Sequence, residues 1–441
     1  MIRILKQTHW TSLDGPGRAE ILSRPAVTGN PELEDKVETI IQAVRQEGDA
    51  ALARLTGQFD GVAVASLRVD DREFELASRL VSDDAKSAMQ TAITNIEKFH
   101  TAQITAPVQV ETAPGVICER IVRPIQAVGL YVPAGSAPLP STAIMLATPA
   151  RIAECPVRAL CTPPNSEGRA DPAVVVAAKM CGIENIFKVG GAQAIAALAY
   201  GTETIPKVDK IFGPGNAWVT AAKKAVAADA DGAAQDMPAG PSEVMVIADI
   251  TANPEFVAFD LMSQAEHGPD SQAILICADA GFADRVDAAI QAALPSLSRR
   301  SIIAQSLSHG ACLIVDSIAE AVEVANRYAP EHLIIQVNNA RQLVDSIINA
   351  GSIFVGPWTP ESVGDYCSGT NHVLPTYGFA RSYSGLSVAD FQKQLTVQEL
   401  TREGLNELAP TVRTLAQLEG LDAHAQAVVT RLEAITDENR S

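Results

Sequence analysis

A glutamine and a histidine three residues apart, Gln264 and His267, are the first candidates for chemistry in this sequence. They lie near the end of residues 253–270, which predict one helix because Asn253 can cap it, a proline suits its first turn and a Gly-Pro pair would end it. Helical periodicity places Gln264 on a face with apolar residues, with His267 one turn beyond. The other faces carry phenylalanine and methionine, so we expect burial on several sides. The two side chains either form a hydrogen-bonded core pair or belong to a metal or ligand site completed from elsewhere.

Glu331 and His332 form a second candidate pair, at a predicted helix–strand junction directly before the strand HLIIQV. An imidazole with an ordinary pKa of about 6.5 suits proton transfer near neutral pH. The same two residues are equally compatible with a solvated turn.

Further polar candidates lie in a Gly-rich stretch and in the C-terminal tail. Residues 356–385 lack periodicity, and so long a loop in a compact protein is more often functional than filler. Zinc accepts histidine nitrogen and carboxylate oxygen, but the sequence has no HExxH motif and no cysteine cluster. Spacing therefore leaves a metal site open among five candidates: Gln264, His267, Asp365, His372 and His424.

Composition narrows the class of protein. A length of 441 residues predicts two or more domains. With 47% hydrophobic and 20% charged residues, the composition is that of a globular protein. The net charge of −18 argues against nucleic acid or an anionic membrane as the main partner. No apolar run could span a membrane and no signal-peptide pattern is present, so we predict a cytoplasmic protein. Seven scattered cysteines without a CxxC pair favour packing roles over disulfides or a cysteine zinc site.

Strand and helix patterns alternate through residues 130–230 and again through residues 243–356. This alternation predicts an α/β protein with two related doubly wound lobes and a cleft between them. Ligands in such sheets are expected beyond the carboxyl ends of the strands. Glycine-rich turns follow two predicted strands, at Gly190 and at Gly213. Each is either a tight strand–helix turn or part of a nucleotide cleft.

Eight motifs resemble the histidinol dehydrogenase family, in the same order and from about residue 25 to residue 430. So many long motifs in one order make the resemblance highly specific. The motifs are VGLYVPAG, KVGGAQAIAALAYGT, IFGPGNAWVTAAKK, DMPAGPSEVMVIAD, LMSQAEHG, APEHL, VGDYCSGTNHVLPT and LEGLDAHAQAV.

The resemblance implies a homodimer that uses NAD and one zinc ion (Zn2+) per active site. Such an enzyme oxidises L-histidinol through histidinal to L-histidine, with two NAD per turnover, and the zinc positions the substrate. Exchanged tail segments would let His424 complete the active site of the partner. By motif, the resemblance assigns the zinc ligands Gln264, His267, Asp365 and His424; the NAD contacts Tyr131, Gln193 and Asn216; the acid–base pair Glu331 and His332; and, beside the zinc ligands and His332, the substrate contacts Ser242, His372 and Glu419.

The domain boundaries follow from the alternation together with the resemblance. We predict an N-terminal arm (1–30), a discontinuous incomplete Rossmann-like lobe with the metal and catalytic residues (31–130 and 243–385), a second such lobe with the NAD contacts (131–242), and a small, mainly helical tail domain (386–441).

Two other functions remain as alternatives. The first is a related zinc- and NAD-dependent dehydrogenase of another small alcohol. Glu419 and His424 argue against it, because they serve the amino and imidazole ends of histidinol in the family. The second is a two-lobed binding protein without catalysis, against which the Glu331–His332 pair and the absent signal peptide count.

Overall fold

The computed structural model describes residues 4–24, 31–134, 138–238 and 240–438. Contacts divide the chain into two compact units. The first unit comprises residues 1–103 and 125–391, and the second comprises residues 104–124 and 392–441.

The strands of the described residues fall into three sheets. In chain order they are β1 (Lys6–His9), β2 (Val108–Ala113), β3 (Val116–Pro124), β4 (Ala127–Tyr131), β5 (Val157–Thr162), β6 (Asn185–Lys188), β7 (Lys210–Phe212), β8 (Ala234–Gln235), β9 (Glu243–Ala248), β10 (Gln272–Cys277), β11 (Ala311–Ile314), β12 (His332–Gln336), β13 (Ser352–Val355) and β14 (Gln392–Leu400).

The α-helices of the described residues connect these strands or cover the sheets. In chain order they are α1 (Gly15–Ile21), α2 (Pro31–Glu47), α3 (Asp49–Phe59), α4 (Asp71–Leu80), α5 (Asp83–Thr101), α6 (Pro140–Ile152), α7 (Pro172–Met180), α8 (Gly191–Tyr200), α9 (Ala217–Ala228), α10 (Pro254–Ala265), α11 (Ala280–Ala293), α12 (Arg300–Ser308), α13 (Ile318–Tyr328), α14 (Glu361–Tyr366), α15 (Arg402–Leu418) and α16 (Asp422–Glu438).

Two parallel sheets in the first unit share one strand order. The five-stranded sheet runs β6-β5-β4-β7-β8, and the six-stranded sheet runs β1-β11-β10-β9-β12-β13. Setting β1 aside, the first strand of each series lies in the middle, the next two lie on one side and the last two on the other. This confirms the prediction of two related doubly wound lobes.

The N-terminal segment differs from the predicted arm. Residues 6–9 form β1, which pairs in parallel with β11 at the edge of the six-stranded sheet. The backbone N–H groups of Ile4 and Leu5 donate to the buried carboxylate of Asp287 on α11. A four-residue edge strand carries too short a pattern to be predicted from sequence.

The helices before residue 103 were assigned to the wrong lobe. The apolar stripe of α2, formed by Val37, Ile40, Ile41 and Val44, packs with α8 and α9 on one face of the five-stranded sheet. On the other face, α4 and α5 pack with α6 and α7. Residues 31–103 therefore belong with the five-stranded sheet. The sequence could not show this, because amphipathicity indicates which face of a helix is buried but not which partner buries it.

The second unit combines strands and helices. It has an antiparallel sheet of order β14-β3-β2, and α15 packs against α16. The predicted helical C-terminal end is confirmed, but residues 392–400 form a strand that pairs with β3. Residues 386–391 belong to the first unit, where Val388 and Phe391 are fully buried. The predicted tail boundary at 386 is therefore wrong. The true boundary leaves no local pattern in the sequence, because β14 pairs with a strand that lies far away along the chain.

No helix among the described residues is both long and apolar enough to cross a membrane. No disulfide joins any two of the seven cysteines, all of which lie in described residues, and five of them are buried, as the predicted packing role requires.

Candidate functional site

The candidate site is built at the amino edge of the six-stranded sheet, where α10 ends. Asn253 accepts the Glu255 N–H at 2.9 Å and caps α10 as predicted. In a parallel sheet the crossover helix runs back against the strands, so its last residues return to the strand starts. Gln264 is completely buried there. Met262 is buried as expected, but Phe256 and Phe259 are 37% and 52% exposed, so the helix is buried on fewer sides than predicted.

The catalytic candidates Glu331 and His332 lie at the start of β12, beside the start of the neighbouring strand β9. His332 begins β12 and Glu243 begins β9, and these strands pair in parallel. The Glu243 carbonyl oxygen lies 3.0 Å from His332 Nδ1, while the Glu243 N–H donates to Glu331 Oε2 at 2.8 Å. One peptide segment thus orients both candidate side chains. With Nδ1 as the donor, His332 presents Nε2 as a lone-pair acceptor.

A short helix in the Gly-rich stretch brings two carboxylates into the cluster. Glu361 and Asp365 are one turn apart on α14, and Glu361 is 1% exposed. Asp365 Oδ1 lies 3.7 Å from His332 Nε2, and Asp365 Oδ2 lies 3.9 Å from His267 Nε2. The amide orientation that satisfies Gln264 places its nitrogen 3.2 Å from Glu361 Oε2. Glu361 was missed in the sequence, although two carboxylates four residues apart were a usable signal.

These residues fit a metal ion. His267, Glu361 and Asp365 each offer a ligand atom, and the three atoms lie within 4.8 Å of one another. Nitrogen and carboxylate oxygen are donors that zinc accepts. The buried Nε2 of His332 finds no hydrogen-bond partner among the described residues. A buried polar atom without a partner needs a specific explanation, and beside these ligand atoms a catalytic role or a bound ion would supply one.

Carboxylates dominate the charge of the cluster. Burial opposes charge on His332, but Glu331 and Glu361 more than offset it and raise its pKa well above the ordinary value. Burial also raises the pKa of Glu361 well above its usual range, against the effect of His332. Burial opposes the charge of Asp365 as well, yet its pKa is lowered because His332 and other histidines favour the carboxylate. A bound cation would balance this negative charge and return His332 toward its neutral, proton-accepting form.

The predicted NAD contacts lie at the carboxyl edge of the five-stranded sheet. Tyr131 ends β4, Gln193 lies in the first turn of α8 after β6, and Asn216 caps α9 after β7. The Tyr131 hydroxyl accepts the Gly191 N–H at 3.0 Å. Strand order reverses between β4 and β7, so Tyr131 and Asn216 flank the switch point where nucleotides bind in this architecture.

The loop before Asn216 is held rigidly. Gly213 has φ of +119°, and a Cβ added there would overlap the Tyr131 carbonyl oxygen. Its N–H donates to Asp236 at 2.8 Å and its carbonyl oxygen accepts from Lys223 at 2.9 Å. Lys223 and Asp236 also form a buried ion pair with each other. Glycines and helix N-termini of this kind allow close approach of a phosphate to backbone N–H groups, so the residues present fit a dinucleotide.

The amino edge of the six-stranded sheet and the carboxyl edge of the five-stranded sheet are connected within the first unit. His372 Nδ1 lies 2.9 Å from the carbonyl oxygen of Asp365, and its Nε2 lies 3.2 Å from the Thr142 hydroxyl in the first turn of α6. Burial lowers the pKa of His372. The Asn371 amide donates to the Met145 carbonyl oxygen of the same helix at 2.7 Å. Because α6 follows β4, the loop after α14 contacts the carboxyl edge of the five-stranded sheet.

The structure brings half of the twelve predicted site residues together in one cluster. Six lie in or beside the cluster: Gln264, His267, Glu331, His332, Asp365 and His372. Ser242 directly precedes β9, and its carbonyl oxygen accepts the Gln272 N–H at 3.0 Å. Glu419 and His424 lie in the second unit, at the end of α15 and the start of α16, and both are exposed. The cluster lies at the amino edge of its sheet, so the expectation of a carboxyl-edge site is wrong for these residues.

A doubly wound α/β fold with a glutamate–histidine pair beside buried carboxylate and imidazole groups is typical of enzymes whose site could hold a metal ion. Comparison with known proteins identifies its family. The sequence matches the histidinol dehydrogenase family over residues 23–432. It is 55% identical to histidinol dehydrogenase of Vibrio vulnificus (strain YJ016) over 98% of this chain and 99% of the relative. Identity to the Escherichia coli O6:H1 enzyme is 53%, over 97% of this chain and 98% of the relative.

A solved structure agrees with the sequence comparison. The crystal structure of histidinol dehydrogenase from Elizabethkingia anophelis matches with a TM-score of 0.95 and 44% identity, over 99% of this chain and all of that one. The chain belongs to the histidinol dehydrogenase family. It is therefore an NAD-dependent oxidoreductase of histidine biosynthesis, with histidinol as its substrate.

Proposed function

We propose that His332 and Glu331 are the acid–base pair of two successive oxidations, from L-histidinol to histidinal and from histidinal to L-histidine. The observation that carries the proposal is the buried Nε2 of His332, which has no hydrogen-bond partner in the part of the chain that the structure describes, opposite an Nδ1 that faces the Glu243 carbonyl oxygen. His332 Nε2 takes the alcohol proton while hydride passes to NAD. Glu331 then takes a proton from water as the aldehyde is hydrated, and a second hydride leaves to a second NAD.

The two half-reactions separate these roles. His332→Asn is expected to slow histidinol oxidation by roughly 100-fold or more, because it removes the acceptor of the alcohol proton. Glu331→Gln is expected to slow oxidation of supplied histidinal more than that of histidinol. NADH absorbance with each substrate measures both rates. The matched control is His309→Asn, which changes an exposed histidine at the end of α12. Unchanged histidinal oxidation by Glu331→Gln would show that Glu331 does not activate water.

We further propose that one zinc ion per active site is held by Gln264, His267, Asp365 and His424 of the partner subunit. The first three lie in the described cluster, where imidazole and carboxylate groups offer ligand atoms within 4.8 Å of one another. When bound, zinc supplies a positive charge and open positions for the imidazole and amine of histidinol. Glu361 remains close enough to hold the Gln264 amide in place.

NAD is proposed to contact Tyr131, Gln193 and Asn216 at the carboxyl edge of the five-stranded sheet. Ser242 and His372 are proposed to contact the substrate, together with Glu419 from a second copy of the chain. The support is positional, because Ser242 adjoins Glu243, and His372 binds the backbone of Asp365.

A homodimer that shares its sites is proposed to place the second unit of one copy on another copy. Leucines around Glu419 are exposed in the single chain, with Leu415, Leu418 and Leu421 at 55%, 79% and 39%, and burial against a partner would stabilise them. Mixing inactive His424→Ala subunits with inactive His267→Ala subunits should restore activity in mixed dimers. Inactive mixed dimers would contradict shared sites.

We also propose a cytoplasmic location, in line with the biosynthetic role of the family.

A further inference from the structure

Arg24 makes a dense set of contacts behind the candidate catalytic pair. Its Nε donates to Glu243 Oε1 at 2.5 Å and its Nη2 donates to Glu243 Oε2 at 2.9 Å. Nη2 also lies 3.0 Å from the Tyr328 carbonyl oxygen and 3.4 Å from the Ala329 carbonyl oxygen. The guanidinium stacks over the Tyr328 ring at 3.8 Å. A planar group with five fixed donors suits this set of partners, whereas a lysine could not reproduce it.

These contacts join the two segments that carry the catalytic candidates. Glu243 begins β9, and its backbone holds both Glu331 and His332. Ala329 ends α13 in the left-handed conformation, with φ of +57°, two residues before Glu331. Arg24 therefore connects the start of β9, whose backbone orients Glu331 and His332, to the turn at Tyr328 and Ala329 that lies just before them in the chain.

The contacts are removed from solvent. The Arg24 side chain is 11% exposed and the Glu243 side chain 2% exposed. Burial raises the pKa of Glu243, and the Arg24 hydrogen bonds and charge oppose that rise. Removal of Arg24 alone would leave a buried carboxylate without its counter-ion, which is strongly unfavourable. Tyr377 donates its N–H to the same carboxylate at 2.9 Å, so the Arg24 site also reaches the loop after α14.

We infer that Arg24 is a positioning residue for the oxidation, acting through the backbone of Glu243 and the Tyr328–Ala329 turn on His332 and Glu331. The inference rests on the proposed roles of those two residues. Arg24 lies outside the cluster, and its hydrogen bonds go to the Glu243 side chain and to the backbone of residues 328 and 329. Its effect is therefore expected in the chemical step rather than in the binding of NAD.

The test measures kcat and the KM for NAD in Arg24→Met, Arg24→Lys and wild type. A small displacement of a catalytic group can cost about 10- to 100-fold in rate, so Arg24→Met is expected to lower kcat by that range at unchanged KM for NAD. Arg24→Lys keeps the charge but not the bidentate geometry and is expected to recover only part of kcat. Wild-type kcat in Arg24→Met, with His332→Asn inactive, would overturn the inference. Activity in His332→Asn would instead overturn the proposed function.

Two further variants separate positioning from stability. Asp287→Ala loosens the same N-terminal segment at Ile4 and Leu5, away from the catalytic pair, and is expected to lower the melting temperature at unchanged kcat. The double variant Arg24→Met/Glu243→Met removes both buried charges, so it keeps the fold even where Arg24→Met alone does not. Its kcat is expected to stay low, because the tether to Tyr328 and Ala329 is missing. Full kcat in the double variant would show that Arg24 serves only to neutralise Glu243.

Discussion

The two parallel sheets have the same strand order, yet their candidate site residues lie on opposite edges. In the five-stranded sheet, Tyr131 and Asn216 follow the carboxyl ends of β4 and β7. In the six-stranded sheet, Glu243 and His332 begin β9 and β12 at the amino ends. The helix after the central strand supplies polar side chains from opposite ends in the two sheets. In α6 they come from the first turn, with Thr142, and in α10 from the last turn, with Gln264.

The two edges also differ in chemistry. The carboxyl edge carries glycine turns, helix N-termini and uncharged side chains, which suit a phosphate-containing cofactor. The amino edge carries buried carboxylates and imidazoles, which suit proton transfer and a cation. Binding of the cofactor and chemistry on the substrate are therefore assigned to separate edges, and substitutions should affect them separately.

The largest effect is expected at the amino edge. Asp365→Asn should lower zinc content and reduce kcat by roughly 100-fold or more, because it removes a proposed ligand of the cation. Metal analysis of the purified protein and the rate of NADH formation measure both. Asp249→Asn is the matched control, since Asp249 follows β9 at its carboxyl end, where it accepts the Thr251 N–H at 2.8 Å. Full activity of a zinc-free preparation would remove the basis for the amino-edge metal site.

A smaller effect is expected at the carboxyl edge. Gly213→Ala forces a strained φ and a clash with Tyr131, so the loop before Asn216 must shift. The KM for NAD should rise by roughly tenfold while zinc content stays unchanged. Gly57→Ala, in the last turn of α3 with open space around the added methyl group, is the control. Loss of zinc without weaker NAD binding would contradict the separation of the two edges.

The sequence predicted the parts of the molecule with strong local periodicity. Repeated βα units predicted both doubly wound lobes, and Asn253 with Pro254 marked the start of α10. The glycine turns were predicted to follow strands, and Gly213 has a conformation that other residues avoid, but spacing alone left a tight turn and a nucleotide cleft both open.

The amino-edge site could not be predicted in the same way. Glu361 lies on a six-residue helix without an apolar stripe, inside a stretch that was predicted as a loop. Its proximity to Gln264 and His332 depends on tertiary packing. The exposed rings of Phe256 and Phe259 show the same limit, because an apolar side chain in a helix need not be buried.

The smallest expected effect is on the stability of the fold, and it concerns a helix that packs with α6 and α7 on one face of the five-stranded sheet. His100 on α5 is completely buried, and neither ring nitrogen has a hydrogen-bond partner among the described residues. Burial lowers its pKa from 6.5 to about 4. Below pH 6.5 the unfolded chain binds a proton that the folded chain excludes, so stability falls as the pH drops from 6.5 toward 4.

Replacement of this histidine removes the titration. The melting temperature of His100→Leu should fall less between pH 7 and pH 5 than that of wild type, with unchanged kcat at pH 7, and His309→Leu at an exposed site should behave as wild type. Equal acid sensitivity of His100→Leu and wild type would assign the loss of stability to other groups.

The hydrogen bond between Thr142 and His372 has a consequence for binding energetics. It joins the helix after β4 to the backbone of Asp365 through one imidazole. A ligand that displaces this imidazole from one edge alters the free energy of binding at the other edge. Thermodynamic linkage requires that alteration to be the same in both directions. Cofactor affinity measured with and without histidinol therefore also gives the effect of the cofactor on the affinity for histidinol.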